Sequence, residues 1–453
     1  MIHQDISILL INPWVTDFAA YNYWAEPLGL LYTASILKQS GAHIFYINCL
    51  HSKKAGPSPR PDGRSRYRRT VIPKPPQISF VPRNYALYGM TRQELLQELK
   101  TRGRPDIVLV GSTMTYWYPG VFRTVQTIKQ FYGPDIPVVL GGIYARLCPE
   151  HAKQYSGADF VFTDDRARNL LKLIEEATSK RFPSPPAPES FSDYPAPLHQ
   201  LEGKKGFISV LTRKGCPFSC TYCASGLLNK HIAARSRWSV TDEIETYSAM
   251  LGAKNVAFYD DSLLWNAPQH IIPIFEEILR RGLRLDFHLP NGIHSKYIYP
   301  EVAEAMYKTG VKTIRIGLET LDRQLLEKTG GKITNADFLW SVKNLVEAGY
   351  KREEIGTYIM AGLLGQAPRD VEKTIDFVYR AGASPFLALF SPIPGTRIWK
   401  EVVRSTPFPV RHEPLFHNNT VFILGSPSYP PSVVQQLKDR AAELRKSRPF
   451  LQR

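Results

Sequence analysis

Short apolar runs alternate with stretches of helical period along most of this chain. ISILLI (6–11), HIFYIN (43–48), DIVLVGS (106–112), IPVVLGG (136–142) and ADFVFTD (158–164) have the length and character of strands. Between them, LGLLYTASILKQSG (28–41) reads as a buried helix closed by Gly41. TRQELLQELKTRG (91–103) opens with Thr91 and Glu94 in capping-box spacing, and VFRTVQTIKQF (121–131) sets Val121, Val125 and Ile128 on one face. Five strands alternating with helices predict a parallel, doubly wound, flavodoxin-like domain over residues 1–178.

RFPSPPAPESFSDYPAPLHQ (181–200) breaks the rhythm. It is dense in proline, carries neither period, and predicts a linker over 179–205. Alternation then resumes with FISVLT (207–212), NVAFYD (255–260), LRLDFHL (283–289), VKTIRIG (311–317), EIGTYIM (354–360) and PFLALF (385–390). Helical patterns such as PQHIIPIFEEILRRG (268–282) and NADFLWSVKNLVEAG (335–349) lie between them. Six βα units in series predict a partial (β/α)6 barrel of the TIM type over 206–400, with chemistry at the C-terminal ends of its strands. An extension over 401–453 holds one more helical pattern, VVQQLKDRAAELRK (433–446).

The 453 residues suffice for two or three cores. No apolar run nears the roughly 18 residues of a membrane span, and the start, MIHQDISILLINPW, reads as a strand rather than a signal peptide. Five unevenly placed cysteines do not make a secreted disulfide framework and point to the reducing cytosol. The net charge of +16 would suit nucleic acid, an anionic surface or an acidic substrate. Much of it sits in HSKKAGPSPRPDGRSRYRRTVIPKPP (51–76), an insertion that reads as solvated and partly disordered. The alternative is a lid in which Arg64, Arg66, Arg68 and Arg69 hold a substrate phosphate or carboxylate.

Three of the five cysteines fall in RKGCPFSCTYCASG (213–226), on the loop after the first barrel strand. Cys216, Cys220 and Cys223 form Cys-x3-Cys-x2-Cys. Three thiolates on a short loop hold three irons of a [4Fe–4S] cube and leave the fourth iron open to a ligand. A structural zinc site is the alternative; it wants four ligands, commonly in Cys-x2-Cys pairs, and His231 is the only nearby candidate for a fourth. Cys49 and Cys148 are isolated and read as buried thiols.

This motif, with Tyr222 before its last cysteine and a strand before its first, resembles the cluster motif of radical S-adenosylmethionine enzymes over residues 206–396. The resemblance implies that the open iron chelates the amino and carboxylate groups of S-adenosylmethionine, whose reductive cleavage gives a 5′-deoxyadenosyl radical. It implies that Asp260 and Asp261, after the second barrel strand, meet the methionine ammonium. It places Asn291 of PNG on the cosubstrate, Glu319 of GLET on the ribose hydroxyls, and Gly362 of AGLLGQ against the adenosine. SPIPGT (391–396) resembles the family's turn after the sixth strand.

The first domain has no GxGxxG and no P-loop. GST (111–113) and LGG (140–142) instead resemble a cobalamin-binding domain, in which Ser112, Thr113, Gly141 and Gly142 would make room for the nucleotide tail. The usual Asp-x-His-x-x-Gly is absent, so no histidine is assigned to cobalt; Asp286-Phe-His288 lies on a barrel strand and its histidine reads as a cavity or core residue. Trp14, with Tyr21, Tyr23 and Trp24 on the loop NPWVTDFAAYNYW (12–24), would face the corrin and pack on it, the alternative being that this aromatic stripe is core.

The resemblance as a whole is to the cobalamin-dependent class of radical S-adenosylmethionine enzymes. It implies a methyltransferase acting on an unactivated carbon, with the cluster, S-adenosylmethionine and cobalamin as cofactors. One S-adenosylmethionine would methylate the reduced cobalamin and a second would supply the radical that activates the substrate. It implies a cytoplasmic enzyme fed by a flavodoxin or ferredoxin, with a small-molecule, lipid or peptide substrate and no transmembrane segment. A cyclisation or rearrangement with the same cofactors is the second enzymatic reading. An RNA-binding or RNA-modifying protein is the third, and the lack of a recognisable RNA-binding module argues against nucleic acid.

Overall fold

The computed structural model describes residues 6–52, 60–183, 187–331 and 333–447, so Lys53 and Lys54 of the basic stretch lie outside the described residues. The chain divides into two compact units. The first takes residues 1–208 with 250–252 and 410–417; the second takes 209–249, 253–409 and 418–453.

In the first unit, β1 (Ser7–Asn12), β2 (His43–Asn48), β3 (Ile107–Val110), β4 (Val138–Leu140) and β5 (Phe160–Val161) form one sheet in the order β5-β4-β3-β1-β2. All four pairings are parallel. This is the flavodoxin-like order, with its switch point between β1 and β3. On one face Ile8, Leu10, Ile107, Leu109 and Val139 pack with Leu31, Ala34 and Leu37. On the other, Leu9, Ile11, Val108, Val110 and Val138 pack with Val121, Val125 and Ile128 of the helix Tyr118–Tyr132. Both faces are dry, so these strands read as unbroken apolar runs instead of alternating ones. Truncating one such residue, as in Leu109→Ala, costs about 2–5 kcal/mol. The expected capping box opens the helix Arg92–Lys100, with Glu94 N donating to Thr91 Oγ1 at 3.2 Å and Thr91 N to Glu94 Oε2 at 2.6 Å.

Three expectations fail in this unit. The described part of the basic insertion is folded. Arg69–Val71 pairs with Ala86–Tyr88, which also pairs with Val15–Asp17, and Ser65–Arg66 pairs with Tyr21–Asn22. Antiparallel pairing gives its backbone the hydrogen bonds that an arginine-rich composition does not advertise. The segment read as a linker is packed on this unit. It buries Phe191 and Leu198, and Lys205 Nζ bridges Glu26 Oε1 (3.0 Å) and Glu202 Oε2 (2.6 Å), while Glu26 also meets His199 Nδ1 at 2.9 Å. The C-terminal extension does not stand apart: Glu413 Oε1 accepts from Tyr118 Oη at 2.9 Å, and His417 Nδ1 is 2.9 Å from Thr115 Oγ1.

The second unit is built on β6 (Phe207–Val210), β7 (Asn255–Phe258), β8 (Asp286–His288), β9 (Val311–Glu319), β10 (Ile355–Ala361) and β11 (Ser384–Leu389). They lie in sequence order, and the pairings from β7 to β11 are parallel, giving an open six-stranded βα sheet of the partial-barrel kind. The helix Pro431–Lys446 lies along the edge strand β11, and Arg445 Nη1 donates to Pro385 O at 2.6 Å. That cover closes an edge otherwise open to foreign strands.

Candidate active site

β6 runs into a two-residue ribbon, Arg213–Lys214 against Ala233–Ala234, and then into the cysteine loop. Gly215 makes the turn at φ +89°; a Cβ there would lie 2.8 Å from His231 O, so the position needs glycine. The loop is stitched from several directions. Thr221 N donates to Thr329 O (3.0 Å), Ile398 N to Thr221 O (2.9 Å), and Arg397 Nη1 to Ser219 O (3.2 Å). Gly330, at φ +132°, lets its backbone come so close that a Cβ would sit 3.1 Å from Cys220 Cα. Phe218 stacks on His294 with ring centres 3.9 Å apart.

This anchoring presents Cys216 and Cys220 half-buried and Cys223 exposed. Burial pushes the Cys216 thiol up to about 11, and the charges of Cys223, Asp261 and Cys220 push the same way, which shows that the three thiols share one neighbourhood. Such thiols ionise when a cation is supplied, as iron would do. Among the described residues no three metal-binding side chains converge on a single ion position. A cubane differs, because each thiolate binds a different corner, and three coupled thiols on one loop fit it.

Around the loop the strand ends bring further groups. Glu319 ends β9 in the left-handed region, φ +73°, beside a break in register with β10, and is buried. A non-glycine residue held there is strained, and such strain gathers at functional positions. Its carboxylate accepts from the Tyr222 hydroxyl, and burial followed by this neighbouring charge holds the phenol well above its ordinary range. Gly362 follows β10 at φ +88°. Asn291 Nδ2 donates to Tyr259 O (2.8 Å) and Asp260 O (3.3 Å), tying together the ends of β7 and β8. Asp261 is exposed, with its carboxyl raised by desolvation against hydrogen bonds from Ser225 and Asn229.

Asp260 has a different role from the expected ammonium contact. It is buried and accepts from Thr212 N (3.0 Å), Thr212 Oγ1 (2.5 Å) and Arg213 N (2.7 Å), so it clamps the start of the cysteine loop. Desolvation raises its carboxyl to about 6 against those hydrogen bonds. Ser262, which the sequence reading passed over, completes the clamp by donating to Gly215 O at 2.8 Å. Thr329, Gly330 and Arg397 were also missed; only the Gly330-Gly331 pair after a helical stretch signalled a special backbone.

In the first unit, Ser112, Gly141 and Gly142 do come together at the ends of β3 and β4. Ser112 Oγ donates to Gly141 O at 2.6 Å and Ile143 N to Ser112 O at 2.9 Å, while Thr113 is exposed. Gly142, at φ +95°, is so close that a Cβ would meet Ser112 O at 2.2 Å; a Cβ on Gly141 would meet nothing within 4 Å. The pair therefore makes an open backbone cradle, which fits a bulky ligand approaching the main chain. Trp14 does not face this opening. It is buried in the core and donates from Nε1 to Met90 O at 2.8 Å, because two residues after β1 the chain already packs on the helix Tyr118–Tyr132. Trp24 is also buried and donates to Asp62 O at 2.6 Å, whereas Tyr21 and Tyr23 are exposed. His288 is buried between Asn255 Oδ1 (2.9 Å) and Thr313 Oγ1 (3.0 Å), and Cys49 is a buried thiol.

A half-open βα sheet with a fastened three-cysteine loop at its first strand end defines a class. Residues 210–378, within the span of the second unit, match the Radical SAM superfamily. An uncharacterised methyltransferase of Pyrococcus horikoshii is 25% identical over 327 residues, covering 66% of this chain and 70% of that protein. The bacteriochlorophyllide d C-12(1)-methyltransferase of Chlorobaculum tepidum is 25% identical over 281 residues, or 58% of this chain and 59% of its own length. Among solved structures, the radical S-adenosylmethionine methyltransferase TsrM of Kitasatospora setae, with cobalamin and a [4Fe–4S] cluster bound, matches 96% of this chain and 91% of its own with a TM-score of 0.68. At 17% identity that likeness is one of fold.

Proposed function

We propose that this chain is a cobalamin-dependent radical S-adenosylmethionine enzyme that methylates an unactivated carbon of a small-molecule substrate. The observation that carries the reading is the cysteine loop, held by Asp260, Ser262, Thr329 and Gly330 with its three thiols presented together. The bound cofactors would supply one-electron cleavage of a sulfonium and transfer of a methyl group through cobalt.

The chain's own residues bind and orient. Cys216, Cys220 and Cys223 would hold the cluster. Glu319 would accept the ribose hydroxyls, held in place by the Tyr222 hydroxyl. Gly362 would admit the adenosine to its backbone, and Ser112, Gly141 and Gly142 would cradle the nucleotide tail of cobalamin. Among the described residues no helix is long and apolar enough to cross a membrane. The reading includes a cytoplasmic setting and a flavodoxin or ferredoxin as electron donor.

The test is anaerobic reconstitution with iron, sulfide and cobalamin, followed by S-adenosylmethionine and reductant. Close to one four-iron cluster per chain, a corrinoid spectrum that survives desalting, and formation of 5′-deoxyadenosine or S-adenosylhomocysteine are expected. Fully loaded protein that leaves S-adenosylmethionine intact sinks the reading.

A further inference from the structure

Arg69–Val71 and Ala86–Tyr88 form a hairpin whose connection, residues 72–85, is fastened along its length. Ile72 N donates to Tyr85 O (3.0 Å), Lys74 Nζ to Val81 O (2.7 Å), Val81 N to Ile78 O (3.2 Å) and Tyr85 Oη to Thr16 Oγ1 (2.9 Å). Ile78, Val81 and Tyr85 are buried beneath it. A connection held in this way fixes the positions of the side chains it exposes. Arg69 on the strand and Lys74 and Arg83 on the connection line a cavity of about 490 Å³ with Asn84, Phe18 and Pro82, and none of these lining residues is acidic.

Two other arginines of the stretch hold carboxylates. Arg64 Nη2 meets Asp62 at 2.6 Å and Arg68 Nη1 meets Glu94 at 3.1 Å, so their charges serve the fold. Asp17, whose charge acts on Tyr85 and Tyr88, accepts from Phe18 N and Trp117 Nε1. Three cations turned to one cavity repel one another, and a compact polyanion relieves that repulsion while taking bidentate bonds from the guanidinium groups. The strand Val15–Asp17 follows β1 closely, and Phe18, which lines the cavity, comes directly after that strand.

We propose that the cavity is an oxyanion site that anchors a phosphate or diphosphate group of the molecule the enzyme acts on. That the anion belongs to the substrate rests on the methyltransferase reading; that the site binds an anion does not.

Calorimetric titration of the full-length, cluster-loaded protein with inorganic pyrophosphate tests this apart from any methyl transfer. One saturable site is expected, weakening as salt rises. Arg69→Gln and Arg83→Gln should each weaken binding roughly tenfold, and the Arg69→Lys/Arg83→Lys protein should recover part of the loss. Unchanged melting temperatures show that the variants fold. Wild-type protein without saturable binding, or glutamine variants that bind as wild type, overturns the proposal. Tight binding of tRNA without binding of pyrophosphate also overturns it, since the cations then belong to a broad polyanion surface. Cobalamin titrated into the same variants should bind as to wild type; a parallel loss makes cobalamin's own phosphodiester the occupant and removes the substrate assignment.

Discussion

The two candidate sites are built on opposite principles. The cysteine loop of the second unit, with Glu319 beside it, offers side chains: three thiols, a carboxylate and a phenol, on a main chain fastened at Thr221 by backbone groups from distant segments. The cradle of the first unit offers the lack of side chains: Gly141 opens onto empty space, and Gly142 packs where no Cβ fits. A site made of reactive groups fails when a group is removed. A site made of backbone approach fails when a group is added.

Four expected outcomes break or sharpen this contrast. The largest is for Cys216→Ala/Cys220→Ala/Cys223→Ala, which should lose the brown colour and all cleavage of S-adenosylmethionine, read as iron per chain and 5′-deoxyadenosine formed; a full cluster in this variant would remove the site from the loop. Next, the two adjacent glycines should separate. Gly141→Leu should fold as wild type yet retain no corrinoid after desalting. Gly142→Ala should lower the melting temperature, since it combines a 2.2 Å contact with a left-handed backbone costing about 1–3 kcal/mol. Equal behaviour of the two would mean that the cradle is only packing.

Third, Glu319→Gln should weaken S-adenosylmethionine binding roughly ten- to hundredfold, in line with loss of a charge-assisted bond of about 1.5–3 kcal/mol, while iron content stays at the wild-type level. The last outcome concerns Asp260. Its folded carboxyl, at about 6, lies above its ordinary 3.8, so the folded protein holds a proton that the unfolded chain has already released. Stability is therefore lost as pH rises from about 4 to about 6, by roughly 1.4 kcal/mol for each unit of separation. Apo Asp260→Asn should show a flatter decline of its melting temperature over that window than wild type, although it loses part of the clamp on Thr212 and Arg213.

The same contrast governs what could be read from the sequence. Every main strand was legible, because strands buried on both faces are continuous apolar runs bounded by turn residues. The cysteine loop was legible because its spacing is visible in a short window of sequence. Asp260 was misread because one carboxylate suits an ammonium ligand and a pair of backbone N–H groups equally well, and only the fold places Thr212 and Arg213 against it. Trp14 was misread because an aromatic after a strand looks alike whether it faces a ligand or the core. The segment 179–205 looked like a tether because proline composition is local. Its partner Glu26 is 173 residues from His199, and no window of sequence shows such a pairing. The insertion hid its strands for the same reason, since its pairing partners at Tyr21–Asn22 and Ala86–Tyr88 lie outside it.

The return of residues 410–417 to the first unit bears on how this protein is made. Glu413 and His417 leave the ribosome roughly 200 residues after Ile208, a delay of about 10–40 s at ordinary rates of synthesis. Throughout that interval the earlier-made unit holds Tyr118 and Thr115 without the partners they have in the finished protein. Its final setting therefore waits until nearly the whole barrel has been translated. A gene fragment ending at the boundary between the units would yield that unfinished intermediate, not an independent half of the enzyme.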